Sequence, residues 1–182
     1  MALKATIYKA QLQISDMDRH YYATHDLTLA QHPSETDERL MARLVAFAVH
    51  ADERLEFGRG LSSDDEPDLW RRERDGTIAQ WIELGQPDES RLRRASGRAG
   101  EVVVFNYGGR ASDLWWEKNA AGLARLANLS VLHIGADETA ALAGLLSRTM
   151  RLQCLIQDGE MQLLGETATA TVHPRRRGTA AG

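Results

Sequence analysis

Residues 66–86 read Glu-Pro-Asp-Leu-Trp-Arg-Arg-Glu-Arg-Asp-Gly-Thr-Ile-Ala-Gln-Trp-Ile-Glu-Leu-Gly-Gln, and the reading of this stretch decides the fold. Asp75-Gly76 predicts a two-residue type I′ turn, because both central positions need positive φ and Gly with Asp or Asn tolerate this best. The turn then sets the register of a β-hairpin: Glu73 faces Ile78, Trp70 faces Trp81, and Asp68 faces Glu83. Side chains alternate along a strand, so the last two pairs share one face. Two carboxylates become cross-strand neighbours at roughly 5 Å between Cβ atoms, which is destabilising unless something offsets the charge. A divalent cation or a shared proton would do so.

The flanking chain builds a frame for this hairpin. Thr6, Tyr8, Ala10, Leu12 and Ile14 alternate with polar residues before a turn near Asp16-Met17-Asp18, and a second strand runs from about His20 to Leu29, so the chain opens with a hairpin. Pro33-Ser34-Glu35-Thr36-Asp37 signals a helix start with Ser34 as N-cap; the helix runs to about Val49 and is apolar over more than half its girth. Gly58-Arg59-Gly60 and Ser62-Ser63-Asp64-Asp65 form the loop into the central hairpin. After it, Pro87-Asp88-Glu89 opens a helix that carries Arg91, Arg93, Arg94 and Arg98. Val102-Val103-Val104-Phe105 is a continuous apolar run suited to a central strand, and Gly108-Gly109 ends it. Helices from Leu114 and Asp137 alternate with a strand over residues 131–134, which implies parallel strands. A second Asp-Gly pair, Asp158-Gly159, predicts a C-terminal hairpin.

The predicted class is therefore α/β, a mixed β-sheet flanked by helices with N-terminal and C-terminal β-hairpins. At 182 residues the expected organisation is one compact domain over residues 1–172 and a flexible tail over residues 173–182, the stretch from Thr167 having no periodicity. Twenty-two basic residues against 26 acidic ones give a net charge of −4, which is not the charge of a generic nucleic-acid coat, although local basic patches remain. The single cysteine, Cys154, excludes an internal disulfide and a multi-cysteine zinc site. The start has no apolar signal-peptide core and no apolar run approaches roughly 18 residues, so the expectation is a cytoplasmic chain with no membrane span.

An acid and proline opening one strand, with a second acid beside it on the next, resembles the PD-(D/E)XK nuclease motif. Residues 26–39 (Asp-Leu-Thr-Leu-Ala-Gln-His-Pro-Ser-Glu-Thr-Asp-Glu-Arg), 51–62 (Ala-Asp-Glu-Arg-Leu-Glu-Phe-Gly-Arg-Gly-Leu-Ser) and 66–70 (Glu-Pro-Asp-Leu-Trp) resemble the bacterial YaeQ family. The resemblance runs from about residue 3 to residue 172. It implies a compact fold around a variant of the restriction-endonuclease-like core.

Two readings of the acids stay open. In one, Asp68 and Glu83 hold Mg²⁺ or Mn²⁺, hard cations that take oxygen ligands and keep positions for water and a substrate phosphate, with Gln86 orienting that water. Nuclease-like cores add an acid from the first helix, which here is Glu38 or Glu35. In the other, the acids are satisfied by arginines, with Arg59, Arg91 and Arg94 as candidates for either that role or phosphate and partner binding. The motif that the resemblance evokes has a lysine two residues after the second acid, where this chain has Gly85. Arg91, Arg94 or Lys118 could reach in instead. The chain has no Gly-Lys-Ser/Thr phosphate loop, dinucleotide fingerprint or Gly-x-Ser-x-Gly elbow, so no nucleotide or organic cofactor is expected. Two function classes follow: metal-dependent phosphodiester hydrolysis, or a non-catalytic module that binds nucleic acid or protein through a nuclease-like cleft.

Overall fold

The computed structural model describes residues 4–59 and 65–178. Residues 60–64 of the expected loop, residue 3 at the start of the resemblance and residues 179–182 of the expected tail lie outside the described residues. The chain divides into two compact units, Met1–Val49 with Asp137–Pro174, and His50–Ala136 with Arg175–Gly182. Instead of one mixed sheet there are two, one in each unit.

In the first unit β1 (Thr6–Asp16) and β2 (Tyr21–Gln31) form the expected opening hairpin, with an unbroken register from Thr6 opposite Gln31 to Asp16 opposite Tyr21. The C-terminal hairpin, β8 (Thr149–Gln157) and β9 (Glu160–Leu164), joins the same sheet because β8 runs parallel to β1. With β10 (Thr169–Val172) the order is β10-β9-β8-β1-β2. The alternation read in the sequence is real: Ala10, Leu12, Ile14, Met150, Leu152, Cys154 and Ile156 are buried and their neighbours face outward. Burial, and then the nearby Asp16 carboxylate, push the Cys154 thiol up to about 12, as befits an inert core thiol.

Helix α1 (Asp37–Val49) starts later than Ser34 suggests. Thr36 is the cap, its Oγ1 accepting the Arg39 N–H at 3.2 Å, whereas the Ser34 hydroxyl turns back to His32 Nδ1 at 2.6 Å. Nine consecutive α1 residues, Leu40 to Ala48, are buried, and Arg43 among them is bound to Glu35 Oε1 (2.8 Å) and to the Ala30 carbonyl (2.9 Å). Helix α4 (Ala136–Ala143) opens with Asp137 and Glu138 in its first turn.

The second unit holds β3 (Leu55–Phe57), β4 (Leu69–Arg72), β5 (Ile78–Leu84), β6 (Ala99–Gly108), β7 (Leu129–Gly135) and β11 (Arg175–Arg177), in the order β11-β7-β6-β5-β4-β3. As expected, β5, β6 and β7 are parallel and are linked by helices, α2 (Glu89–Arg98) and α3 (Arg110–Leu123). Successive crossovers of one hand put both helices on one face. There Leu92 and Ala95 of α2 and Trp115 and Leu123 of α3 pack with Trp70, Trp81, Val102, Val104 and Val131 of the sheet.

Two expectations change here. Strand β3 carried no signal in the sequence. Within the stretch from Thr167, expected to be frayed, β10 pairs with β9 and β11 pairs with β7, where Arg177 Nη2 donates to Asp113 Oδ1 at 2.7 Å. Among the described residues no helix is long and apolar enough to cross a membrane.

Candidate functional site

The hairpin keeps the expected register at its centre but reaches it by another route. Trp70 faces Trp81 and Leu69 faces Ile82, while Arg72 faces Ile78, and the register shifts between Arg71 and Arg72. The turn is one residue longer than predicted. The Gly76 N–H donates to the Glu73 carbonyl (3.0 Å) and the Glu73 N–H to the Thr77 carbonyl (2.8 Å), so Glu73 meets Thr77 rather than Ile78. Gly76 has φ +87°, whereas Asp75 is not in the left-handed region, so this is not a type I′ turn. The longer loop shifts the register one way and the irregularity at Ala79 shifts it back. The two Trp rings stand edge to face, 6.1 Å between centroids at 85°, in the core of this unit.

Beyond Leu69 the two acids are brought together and both are buried, Asp68 to 5 % and Glu83 to 4 % exposure. Each is committed to protein donors. Asp68 Oδ2 accepts the Leu84 N–H at 2.8 Å. Glu83 Oε1 accepts Trp81 Nε1–H (2.8 Å) and Arg91 Nε–H (2.7 Å), and the Nη2 of Arg91 donates to the Glu66 carbonyl at 2.9 Å. Arg91 thereby ties the segment before β4 to the end of β5 through the first turns of α2. Burial first, and then the Asp68 charge, raise the Glu83 carboxyl above its ordinary value; Arg91 and the two hydrogen bonds work against that rise.

The other sequence-predicted residues are spread around this pair or away from it. Gln86 is exposed and its Nε2 donates to the Tyr107 carbonyl at 2.9 Å. Arg59 is an exposed side chain whose Nε lies 3.5 Å from Glu66 Oε1. Arg94 is exposed on α2, with no ion pair among the described residues. Glu38 sits in the first turn of α1, in the other unit, half-exposed; Glu35 there is held by Arg39 and Arg43. Lys118 is exposed on α3.

The position of the motif lysine, Gly85, has φ +87°, a conformation a lysine adopts only with strain. The residue that the sequence did not announce is Asn106. It lies on β6, fully buried, and its Nδ2 donates to the Gly85 carbonyl at 3.1 Å while its Oδ1 meets no hydrogen-bond partner. Glu83 stands opposite Val104, so Asn106 is on the same face one step further along, whereas a Cβ at 85 would meet Tyr107 Cε1 at 3.9 Å. Among the described residues no three His, Cys, Asp or Glu side chains are grouped so as to hold a metal.

A model of the YaeQ protein family matches residues 1–174. The chain is 49% identical over 163 residues to the uncharacterized YaeQ protein of Escherichia coli (strain K12), covering 90% of each, and equally similar to that of Salmonella typhi. The crystal structure of the YaeQ protein from Xanthomonas axonopodis pv. citri superposes with a TM-score of 0.93 at 58% identity, covering 96% of this chain and 99% of that one. That of Pseudomonas syringae gives 0.91 at 34% identity, covering 98% of each.

Proposed function

The chain belongs to the YaeQ family, and we propose that it is a non-catalytic binding module for phosphodiester chains, a variant of the restriction-endonuclease-like core that reuses a nuclease-like cleft without its chemistry. The observation that carries this reading is Arg91. Its guanidinium occupies Glu83 where a hydrolase would keep carboxylate oxygens open for a cation, and Gly85 supplies no lysine. The same helix provides the recognition surface. Helix α2 has four arginines to one glutamate in a chain of net charge −4. Arg93 pairs with Glu89 and Arg98 lies over the Trp81 ring, which leaves Arg94 on α2 for phosphate oxygens.

Fluorescence anisotropy with labelled single-stranded DNA and RNA tests this. Binding should weaken as salt rises, persist in EDTA, and fall roughly tenfold in Arg94→Glu, because phosphate contacts are electrostatic. No salt-sensitive binding at low ionic strength would end the proposal.

Metal-dependent hydrolysis is the second reading, and the partnerless Asn106 Oδ1 beside a crowded pair of acids favours it. Calorimetric titration of Mn²⁺ or Mg²⁺ into wild type and Asp68→Asn separates the two. One-site binding that disappears in the variant would put hydrolysis first.

A further inference from the structure

We propose that β2 is a pairing edge for a second copy of this chain, the two β2 strands running antiparallel about a two-fold axis at His25 so that the five-stranded sheets become continuous. Four sheet edges exist among the described residues. Strands β3 and β11 have three residues each and β10 has four, whereas β2 has eleven. Short edges are a usual defence against unwanted pairing, as are proline, lysine and bulges. Strand β2, Tyr-Tyr-Ala-Thr-His-Asp-Leu-Thr-Leu-Ala-Gln, has no proline or lysine and no bulge against β1.

The ladder shows which of its groups face out. The Lys9 N–H donates to the Arg148 carbonyl, on the β8 side, so odd-numbered residues of β1 point their backbone toward β8 and even-numbered ones toward β2. In the antiparallel ladder the odd-numbered residues of β2 then exchange bonds with β1, and the even-numbered ones point outward. Tyr22, Thr24, Asp26 and Thr28 are all exposed, Tyr22 at 61 %, and among the described residues their backbone groups have no further partner. The row stops at Ala30, whose carbonyl Arg43 takes.

That free row has His25 at its centre, and the sequence around it is self-complementary. A two-fold there sets Tyr22 against the partner's Thr28 and Thr24 against the partner's Asp26, so all four outward residues pair and the Thr24 hydroxyl can donate to a carboxylate. A two-fold one residue on would oppose Asp26 to the partner's Asp26, a like-charge pair. On the other face the chosen register brings half-buried Ala23 against the partner's Leu27. The His25 rings do not crowd, because each is held within its own unit by the Tyr21 hydroxyl at 2.7 Å and by the edge of Phe47.

Sedimentation velocity on the full chain, over roughly a hundredfold range of concentration, reads the equilibrium. Wild type should shift from monomer to dimer. Thr24→Pro removes an outward N–H and none of the β1 ladder bonds, so it should stay monomeric with an unchanged circular dichroism spectrum. Thr24→Lys should tighten the dimer and Thr24→Asp loosen it, each roughly tenfold, since each acts twice on Asp26 across the axis. A wild type that is monomeric throughout, whether or not it captures an extended peptide, overturns the proposal. So does a dimer that keeps its affinity in Thr24→Pro.

Discussion

Each unit contains an Asp-Gly hairpin, and the same dipeptide closes the two differently. At 158–159 both residues are left-handed, with φ 52° and 74°, and Gln157 faces Glu160 across a two-residue turn. At 75–76 only Gly76 is left-handed and the loop is longer. The difference lies in who accepts the N–H groups of the turn. Asp75 accepts the Thr77 N–H (2.9 Å) and hydroxyl (2.6 Å) on its own carboxylate, bonds that also hold its pKa below the ordinary value. The Asp158 and Gly159 N–H groups instead reach the Asp18 carboxylate, at 2.7 and 2.9 Å, in the turn between β1 and β2. A dipeptide thus specifies that a hairpin forms, and the available acceptor chooses its turn.

If the first hairpin is positioned by what its strands bury and the second by an external carboxylate, their weak points differ. The largest loss should come from Arg91→Met, which leaves Glu83 buried beside the Asp68 charge without its guanidinium. Breaking a buried pair costs about 3–5 kcal/mol; the partial exposure of Arg91, 21 %, lowers this to about 2–4 kcal/mol. Urea unfolding measures it, and an unchanged midpoint would show that burial alone does not set this hairpin. Asp18→Ala should cost less, about 1 kcal/mol for two bonds at an exposed site, and hydrogen exchange should quicken at Asp158 and Gly159 while Thr77 stays unchanged.

The smallest effect is one of pH. Glu83 is raised above its ordinary 4.5 by burial and by Asp68. It binds a proton more readily folded than unfolded, so its contribution to stability is present below that value and is lost as pH rises through the folded one. Glu83→Gln keeps a carbonyl for Trp81 and Arg91 and should flatten this dependence. Unfolding curves from about pH 4.5 to neutrality that stay parallel in the two proteins would remove Glu83 as its source.

Alternation alone made Trp70, Trp81, Asp68 and Glu83 legible as one face, and it survived an incorrect turn because a later irregularity cancels the shift. Arg91 could be named only as one of three candidate arginines, since choosing it requires the distance from α2 to β5. Asn106 gave no signal. Its position follows an apolar run, and its role comes from a bond to the Gly85 carbonyl that exists only because β6 pairs beside β5. Strand β11 was hidden for a different reason: Arg175-Arg176-Arg177 joins β7 through backbone groups that every residue carries. The split into two sheets was equally hidden, because β1 meets β8 through contacts remote in sequence.

The parallel pairing of β1 with β8, where Lys9 stands beside Thr149, also governs the order in which a ribosome can deliver the protein. Strands β3 to β7 and their two helices emerge as one uninterrupted run, whereas the opening hairpin must wait until β8 is made before its neighbour exists. Through that interval Leu12 and Ile14 lack the covering they have in the finished sheet. Such delayed long-range closure is slow and exposes strand edges. The opening hairpin, made before the other elements, is therefore among the last to be secured, and nascent chains stalled between α3 and β8 are where premature association should concentrate.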